Sequence, residues 1–275
     1  MLIDGKQIAA EILQDLKIRV ENLKKRGVFP KLAVVLMGDE ESSAIYVRQK
    51  ELKAKEIGAT LEIFKFDETV TNNEVETLVK KLDADLKIHG IILQRPAPKQ
   101  IEIEKLEQLI SSTKEVDGFG TNPIYEVPVA QAVLLLLKKT CEKKDFLDWL
   151  GSKKIVVLGK GQTAGGPIIN LLRKKGLSPT VIDSKTANKD SLLQNADIII
   201  SAVGKQNIIN SSSIKKGAIL IGVGMHMEKG KLCGDYREKE ISDIASFYTP
   251  TPGGVGPVNV SMLLKNLIEA AEKSS

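Results

Sequence analysis

The runs KLAVVLM (31–37), IHGIIL (88–93), KIVVL (154–158), DIIISAV (197–203) and AILIGV (218–223) are apolar almost throughout and do not alternate with polar residues. Strands of that kind are covered on both faces, which happens in parallel sheets flanked by helices. The segments between them supply the helices. Residues 5–26 place Ile8, Ile12, Leu13, Leu16 and Val20 along one side. Residues 42–58 carry Ile45, Leu52 and Ile57 near helical spacing, with Ser42 or Ser43 as a cap and Gly58 as a stop. Thr60–Phe66 is a further strand, 71–82 a helix opened by a Thr or Asn cap, and 101–111 and 126–139 further helices. Strand and helix alternate along the chain, so the fold class is α/β with a largely parallel sheet in each of two lobes. The polar stretch 138–144 marks the boundary, giving a first lobe over 1–139 and a second over 140–257.

The chemistry collects at strand ends, where ligands gather in such sheets. Gln94 follows the 88–93 strand and is trailed by Arg95-Pro96-Ala97-Pro98, two prolines that stiffen the turn. Tyr46 and Lys50 lie four apart and project from one helix face. A phenol beside an ammonium can move a proton or hold a water, although alone the pair equally describes a packed Tyr beside a solvated Lys. Val116-Asp117-Gly118-Phe119-Gly120 is a turn with one acid between an apolar residue and a glycine.

In the second lobe Gly159-Lys160-Gly161-Gln162-Thr163-Ala164 follows a strand and precedes a helix, the context of a dinucleotide-binding turn. Asp183 closes the next strand about twenty residues on, where a Rossmann fold places its ribose-binding carboxylate. The later strands end in Gly204 and Gly224, which let a cofactor approach the backbone. Residues 248–257, YTPTPGGVGP, form a stiff loop with open amides ahead of a last helix to Glu272.

Composition narrows the partners. With 40 basic and 35 acidic residues the net charge is +5, with no basic run, so nucleic acid is not the expected partner. The longest apolar run, 127–137, contains Gln131 and is too short to span a bilayer, and the amino-terminal segment reads as a helix. Cys141 and Cys233, with His89 and His226 as the only histidines, give no zinc spacing, so no metal is expected. Unpaired cysteines suit a reducing cytoplasm. His89 and Trp149 read as structural.

These motifs, in this order, resemble the bifunctional methylenetetrahydrofolate dehydrogenase/cyclohydrolase family. The matching pieces are Tyr46-x-x-x-Lys50, Gln94 in its proline turn, Lys114-x-Val116-Asp117-Gly118-Phe119, the 159–167 loop, Ala202-Val203-Gly204-Lys205, Val223-Gly224 and Thr251–Pro257. They span nearly the whole chain. The resemblance implies a folate-binding lobe with Lys50, Tyr46, Gln94 and Asp117 as catalytic residues, and residues 258–275 returning to it. Tyr46, Asp117 and the Pro252-Gly253-Gly254-Val255 loop would bind substrate. A Rossmann lobe would bind NADP through Gly159, Lys160, Gly161, Asp183, Ser184, Lys185, Gly204 and Met225. It also implies tetrahydrofolate derivatives as substrates, one-carbon metabolism, and a cytoplasmic homodimer.

The chain departs from the family where a Pro-Cys-Thr-Pro stretch is usual, having Tyr125-Glu126-Val127-Pro128. It also has Gly159-Lys160-Gly161 for Gly-Arg-Ser, Asp183 for a histidine, and Met225-His226 for Ile-Asn. Asp183 would repel a ribose 2′-phosphate and favour NAD, whereas Lys160 and Lys185 can hold that phosphate, so NADP is expected with NAD as the alternative. A dehydrogenase without the hydrolytic step is disfavoured by Lys50 and Gln94. A short-chain dehydrogenase is disfavoured because Tyr46 precedes the nucleotide loop, and a non-catalytic folate or nucleotide binder because binding alone needs no such lysine.

Overall fold

Apolar strands over 31–37 and 90–93 and their helical partners build the first of two units in the computed structural model, which describes residues 1–39 and 41–274. The units are 9–128 with 260–275, and 1–8 with 129–259. In chain order the first unit carries α1 (Gly5–Lys25, begun in the other unit), β1 (Lys31–Met37), α2 (Glu41–Glu56), β2 (Thr60–Phe66), α3 (Asn72–Ala84), β3 (Gly90–Leu93) and α4 (Ile103–Glu107). Its sheet is parallel, in the order β2-β1-β3, with Leu32 opposite Leu61 and Gly90. The central strand is buried on both faces, as its unbroken apolar run demands. Leu32, Val34 and Leu36 pack with α1 and the last helix, and Ala33, Val35 and Met37 with α3.

Several local expectations are revised. Helix α2 starts at Glu41, so Ser42 and Ser43 fall inside its first turn rather than at the cap. Ile45 and Leu52 are exposed, and the face that packs is Val47, Ala54 and Ile57. Of the expected stripe only Ile57 packs, and small Ala54 and Val47 take the core positions that size alone assigns to Ile45 and Leu52. Thr71 is the cap of α3, in a capping box with Glu74. The 101–111 helix shrinks to α4, with turns beyond Glu107.

The second unit contains α5 (Pro128–Lys139), α6 (Phe146–Gly151), β4 (Ile155–Leu158), α7 (Gly165–Lys174), β5 (Thr180–Ile182), α8 (Lys189–Gln194), β6 (Ile198–Ser201), β7 (Ile219–Gly222), β8 (Met225–Glu228), β9 (Lys231–Gly234), α9 (Glu238–Ile241) and β10 (Phe247–Tyr248). Helix α10 (Val255–Lys273) begins here and ends in the first unit. The parallel sheet runs β10-β7-β6-β4-β5, and β8-β9 is a separate antiparallel hairpin that the apolar pattern did not announce. The units meet along the chain at 128/129, ahead of the polar stretch 138–144, so that stretch marks a helix end and not the division. Met1–Ile8 joins the second unit through a bridge from Leu2 to Tyr248 and the Ile3 amide on the Tyr248 carbonyl at 2.8 Å.

Within the first unit α10 returns to the sheet, where Leu263, Leu264, Leu267 and Ile268 are buried. Asn266 is 2% exposed and donates to the carbonyls of Val116 at 2.9 Å and Glu126 at 3.1 Å. Each such bond stabilises by about 1 kcal/mol, and together they fix the segment that carries Asp117. No helix among the described residues is long and apolar enough to cross a membrane.

Candidate active site and nucleotide site

Gln94 sits directly after β3, its amide extending the ladder to the Val35 carbonyl at 2.9 Å. Its side-chain oxygen accepts from Lys50 Nζ at 2.9 Å, and its side-chain NH2 donates to the Arg95 carbonyl at 2.7 Å. The amide is therefore oriented, with oxygen toward the lysine. Lys50 comes from α2, one turn after Tyr46. Both are half-buried. Burial pushes the Lys50 ammonium below its ordinary range, and the Asp117 carboxylate pulls it partly back. Asp117 moves the opposite way. Burial raises it, and Lys50 and Arg95 lower it. Burial also raises Tyr46, which stays a neutral phenol. The structure thus brings Lys50, Gln94 and Asp117 into one electrostatic cluster, with Tyr46 on the same helix as Lys50.

Two residues that the sequence reading passed over shape this cluster. Glu115 is 2% exposed, and its carboxylate accepts the amides of Asp117, Gly118 and Gly120, each at 3.0 Å. It folds the 115–120 turn around itself and so aims Asp117. Arg95 pairs with Glu107 through Nε at 3.2 Å and Nη2 at 2.8 Å, and its guanidinium lies 5.2 Å from the Phe119 ring centroid. That ties the Gln94 turn to the Asp117 turn. The only sequence signal was an acid two residues before Asp117 and an arginine beside Gln94, and neither reveals a partner.

His89, buried, accepts the Lys31 amide on Nδ1 at 3.3 Å, a structural role. Trp149 stacks near Phe146, with the Lys153 ammonium 5.6 Å from its ring centroid.

In the second unit, β4 leads into the 159–164 loop and then α7. Gly159 has φ 92°, and a Cβ there would lie 2.6 Å from the Ala202 carbonyl oxygen, so only glycine fits. Ala164 supplies no side-chain cap to α7. The Gly166 amide donates to the Gly161 carbonyl at 2.9 Å and Pro167 has no N–H, so of the first turn only the Gly165 amide is left to face an anion. Lys160 Nζ meets Asp183 Oδ2 at 2.8 Å. The other Asp183 oxygen accepts from the Lys185 amide at 2.9 Å and the Thr186 hydroxyl at 3.0 Å. Lys160 above all, then these donors, holds the Asp183 carboxyl at about 2. Asp183 is therefore an engaged, charge-compensated group and not a bare anion. Ser184 and Lys185 are exposed beside it.

Gly204 has φ 69°, and a Cβ there would lie 3.0 Å from the Met225 carbonyl oxygen, so the Gly204 turn packs against the start of β8. The 201–205 turn is held by Asp235, fully buried, whose carboxylate accepts from Ser201 Oγ at 2.5 Å and the amides of Val203 at 3.0 Å and Lys205 at 2.9 Å. Asp235 too was not singled out from sequence. A glycine cradle and two lysines, Lys160 and Lys185, fit a phosphorylated dinucleotide. Pro252, Gly253, Gly254 and Val255 lie in this unit, packed on the start of α1, where Gly5 faces the Gly254 carbonyl and Gly253 faces Lys6.

The family model "Tetrahydrofolate dehydrogenase/cyclohydrolase, catalytic domain" matches residues 3–117, and the family's "NAD(P)-binding domain" matches 129–275. The "Bifunctional protein FolD" of Exiguobacterium sp. is 38% identical, with 99% of this chain and 99% of that protein covered. The crystal structure of the bifunctional enzyme FolD from Campylobacter jejuni is 33% identical with a TM-score of 0.92, covering 99% of each chain. The Trypanosoma brucei methylenetetrahydrofolate dehydrogenase-cyclohydrolase, complexed with NADP cofactor and inhibitor, is 31% identical with a TM-score of 0.91, covering 100% of this chain and 98% of that one. The chain belongs to the tetrahydrofolate dehydrogenase/cyclohydrolase family.

Proposed function

We propose that Lys50, oriented by Gln94, handles the protons of a two-step folate oxidation and hydrolysis, that Tyr46 and Asp117 hold the folate, and that the 129–259 unit holds NADP. The enzyme oxidises 5,10-methylenetetrahydrofolate to 5,10-methenyltetrahydrofolate and hydrolyses that to 10-formyltetrahydrofolate, a reaction pair of one-carbon metabolism. The bond from Lys50 Nζ to Gln94, with Asp117 close enough to act on the same charge, is the observation that carries the assignment.

NADP supplies the hydride acceptor when bound. The residues that would hold it are Gly159, Lys160, Gly161, Ser184, Lys185, Gly204 and Met225, with Asp183 fixing Lys160. Loss of a hydride from the methylene carbon leaves a resonance-stabilised cation, so this step needs alignment and no strong base. Hydrolysis does need proton handling. A neutral Lys50 takes a proton from water as oxygen bonds to the methenyl carbon. The resulting ammonium returns that proton to N5 as the carbon–N5 bond breaks, and the hydroxyl proton leaves to solvent. Lys50 is suited to both roles because burial brings its neutral form within reach. Asp117 can accept paired N–H donors from the pterin edge.

We further propose a cytoplasmic homodimer. Exposed Ile45 and Leu52 on α2 and Ile63 on the edge strand β2 support self-association. Absorbance during incubation with methylenetetrahydrofolate, run with NADP and with NAD, tests the main reading. Reduced nicotinamide with only transient methenyl product supports both steps. Reduction with lasting methenyl product would leave a dehydrogenase alone, and no reduction with either cofactor would overturn the dehydrogenase.

A further inference from the structure

The β8-β9 hairpin brings together three side chains of metal-ligating type. His226 and Cys233 are directly opposed in the antiparallel register, and Glu228 lies two residues along β8 from His226. Residues two apart on a strand share a face, so all three project from the same side. A His226 ring nitrogen, Cys233 Sγ and a Glu228 carboxylate oxygen lie within 4.8 Å of one another. Both His226 ring nitrogens are buried and have no hydrogen-bond partner, which is unusual for a polar ring. Cys233 is a free thiol. Glu228 and Cys233 also line a cavity of about 500 Å³ with Gln206, Arg237, Glu238 and Thr251, so the side away from the hairpin is open. In sequence His226 and Cys233 match no zinc spacing, because the pairing comes from strand register rather than from a loop or helix repeat.

We propose that His226, Glu228 and Cys233 form a binding site for a zinc-class divalent cation, with its remaining position facing the cavity. Imidazole, thiolate and carboxylate are the ligands such an ion takes in a tetrahedral set, and three protein ligands leave one position for water or a small anion. Binding takes the Cys233 proton, so each ion bound releases one proton from the thiol and forms a metal–sulfur bond. The bound ion satisfies an otherwise unpartnered His226 nitrogen. The site belongs to the unit that carries the nucleotide loop, and the Lys50 cluster to the other. Its strand β9 runs straight into Asp235, which holds the 201–205 turn.

The test uses the full chain, chelated and reduced, titrated with Co2+ as a spectroscopic probe and then with Zn2+ in competition. The expected result is uptake of one ion per chain with a thiolate-to-cobalt charge-transfer band, displaced by Zn2+. Cys233→Ser should abolish the band, and Cys141→Ser should leave it intact. Losing an outer partner of a ligand already weakens metal binding by about 10- to 100-fold, so His226→Gln and Glu228→Gln should weaken uptake at least as much. Thermal unfolding of each metal-free variant, unchanged from the parent, shows that the fold survives. Absence of the band in the parent, or a band that persists in Cys233→Ser, overturns the proposal.

Discussion

Lys50 Nζ donates to the Gln94 side-chain oxygen at 2.9 Å, while the Gln94 NH2 is spent on the Arg95 carbonyl at 2.7 Å. The glutamine is thereby held with its acceptor toward the lysine, across 44 residues of sequence. Removing the amine should remove the proposed proton carrier but leave the folate contacts proposed for Tyr46 and Asp117. Lys50→Met is expected to cut hydrolysis of supplied methenyltetrahydrofolate by at least about 100-fold, within the range of general acid–base catalysis. Folate affinity, read by fluorescence titration, should change little. Gln94→Ala should cost less, since the amine remains but wanders. Hydrolysis at the parental rate in Lys50→Met would remove Lys50 from the mechanism.

The pH profile follows from the same cluster. Burial lowers Lys50 and Asp117 opposes that shift. If neutral Lys50 takes the proton from water, the hydrolysis rate rises with pH through a value below the ordinary lysine range. Asp117→Asn removes the anion that favours the ammonium, so Lys50 falls further and the rising limb moves to lower pH. The measurement is kcat for hydrolysis against pH in parent and variant, at saturating substrate. A limb that moves to higher pH, or a rate that falls with pH, contradicts the assignment.

Glu115 accepts three backbone amides around Asp117 and is almost fully buried. Glu115→Ala strands those donors, and buried unsatisfied groups cost about 1–3 kcal/mol each when water cannot reach them. An overall loss of roughly 3 kcal/mol is expected by urea denaturation, allowing for water entering the space left behind. Folate KM should rise as well, because Asp117 loses its aim. Asp117→Ala should raise folate KM without that loss of stability.

In the proposed nucleotide site, Lys160 and Asp183 are the pair that would set the cofactor preference. Their 2.8 Å pair offsets the carboxylate that would otherwise repel a 2′-phosphate. Lys160→Ala should therefore raise KM for NADP more than KM for NAD, since it removes a phosphate partner and unmasks Asp183. Asp183→Ser should shift kcat/KM toward NADP. Steady-state kinetics with both nicotinamides reads both changes, and a Lys160→Ala enzyme with an unaltered cofactor ratio would take the lysine out of the phosphate site.

What the sequence disclosed and what it withheld differ in kind. Both-face burial forces unbroken apolar runs, so β1, β3, β4, β6 and β7 were visible as strings of Val, Ile and Leu. Gly159 was visible because a close backbone approach tolerates nothing larger. Glu115, Arg95 and Asp235 were not, because their roles lie in partners that only tertiary structure supplies. The face of α2 was misread in part for a related reason, although Ile57 packs as expected. Ile45 and Leu52 are large, yet Ala54 and Val47 are the residues turned to the core. Opposed strands likewise concealed the His226–Cys233 pairing.

Asp235 gives the sharpest test of the nucleotide unit. It is fully buried, and its carboxylate takes one hydroxyl and two amides from the turn that carries Gly204. Asp235→Asn keeps the shape but replaces one acceptor oxygen with an NH2 that faces donors. Asp235→Ala strands all of them. In both variants the 201–205 turn loses its anchor, so KM for NADP should rise, more in the alanine variant. Hydrolysis of supplied methenyltetrahydrofolate needs no nicotinamide chemistry, so it should persist wherever the variant stays folded. The contrast separates a damaged cofactor turn from a damaged protein. If dehydrogenation and hydrolysis fall together in Asp235→Asn while circular dichroism is unchanged, Asp235 does not act through the cofactor turn.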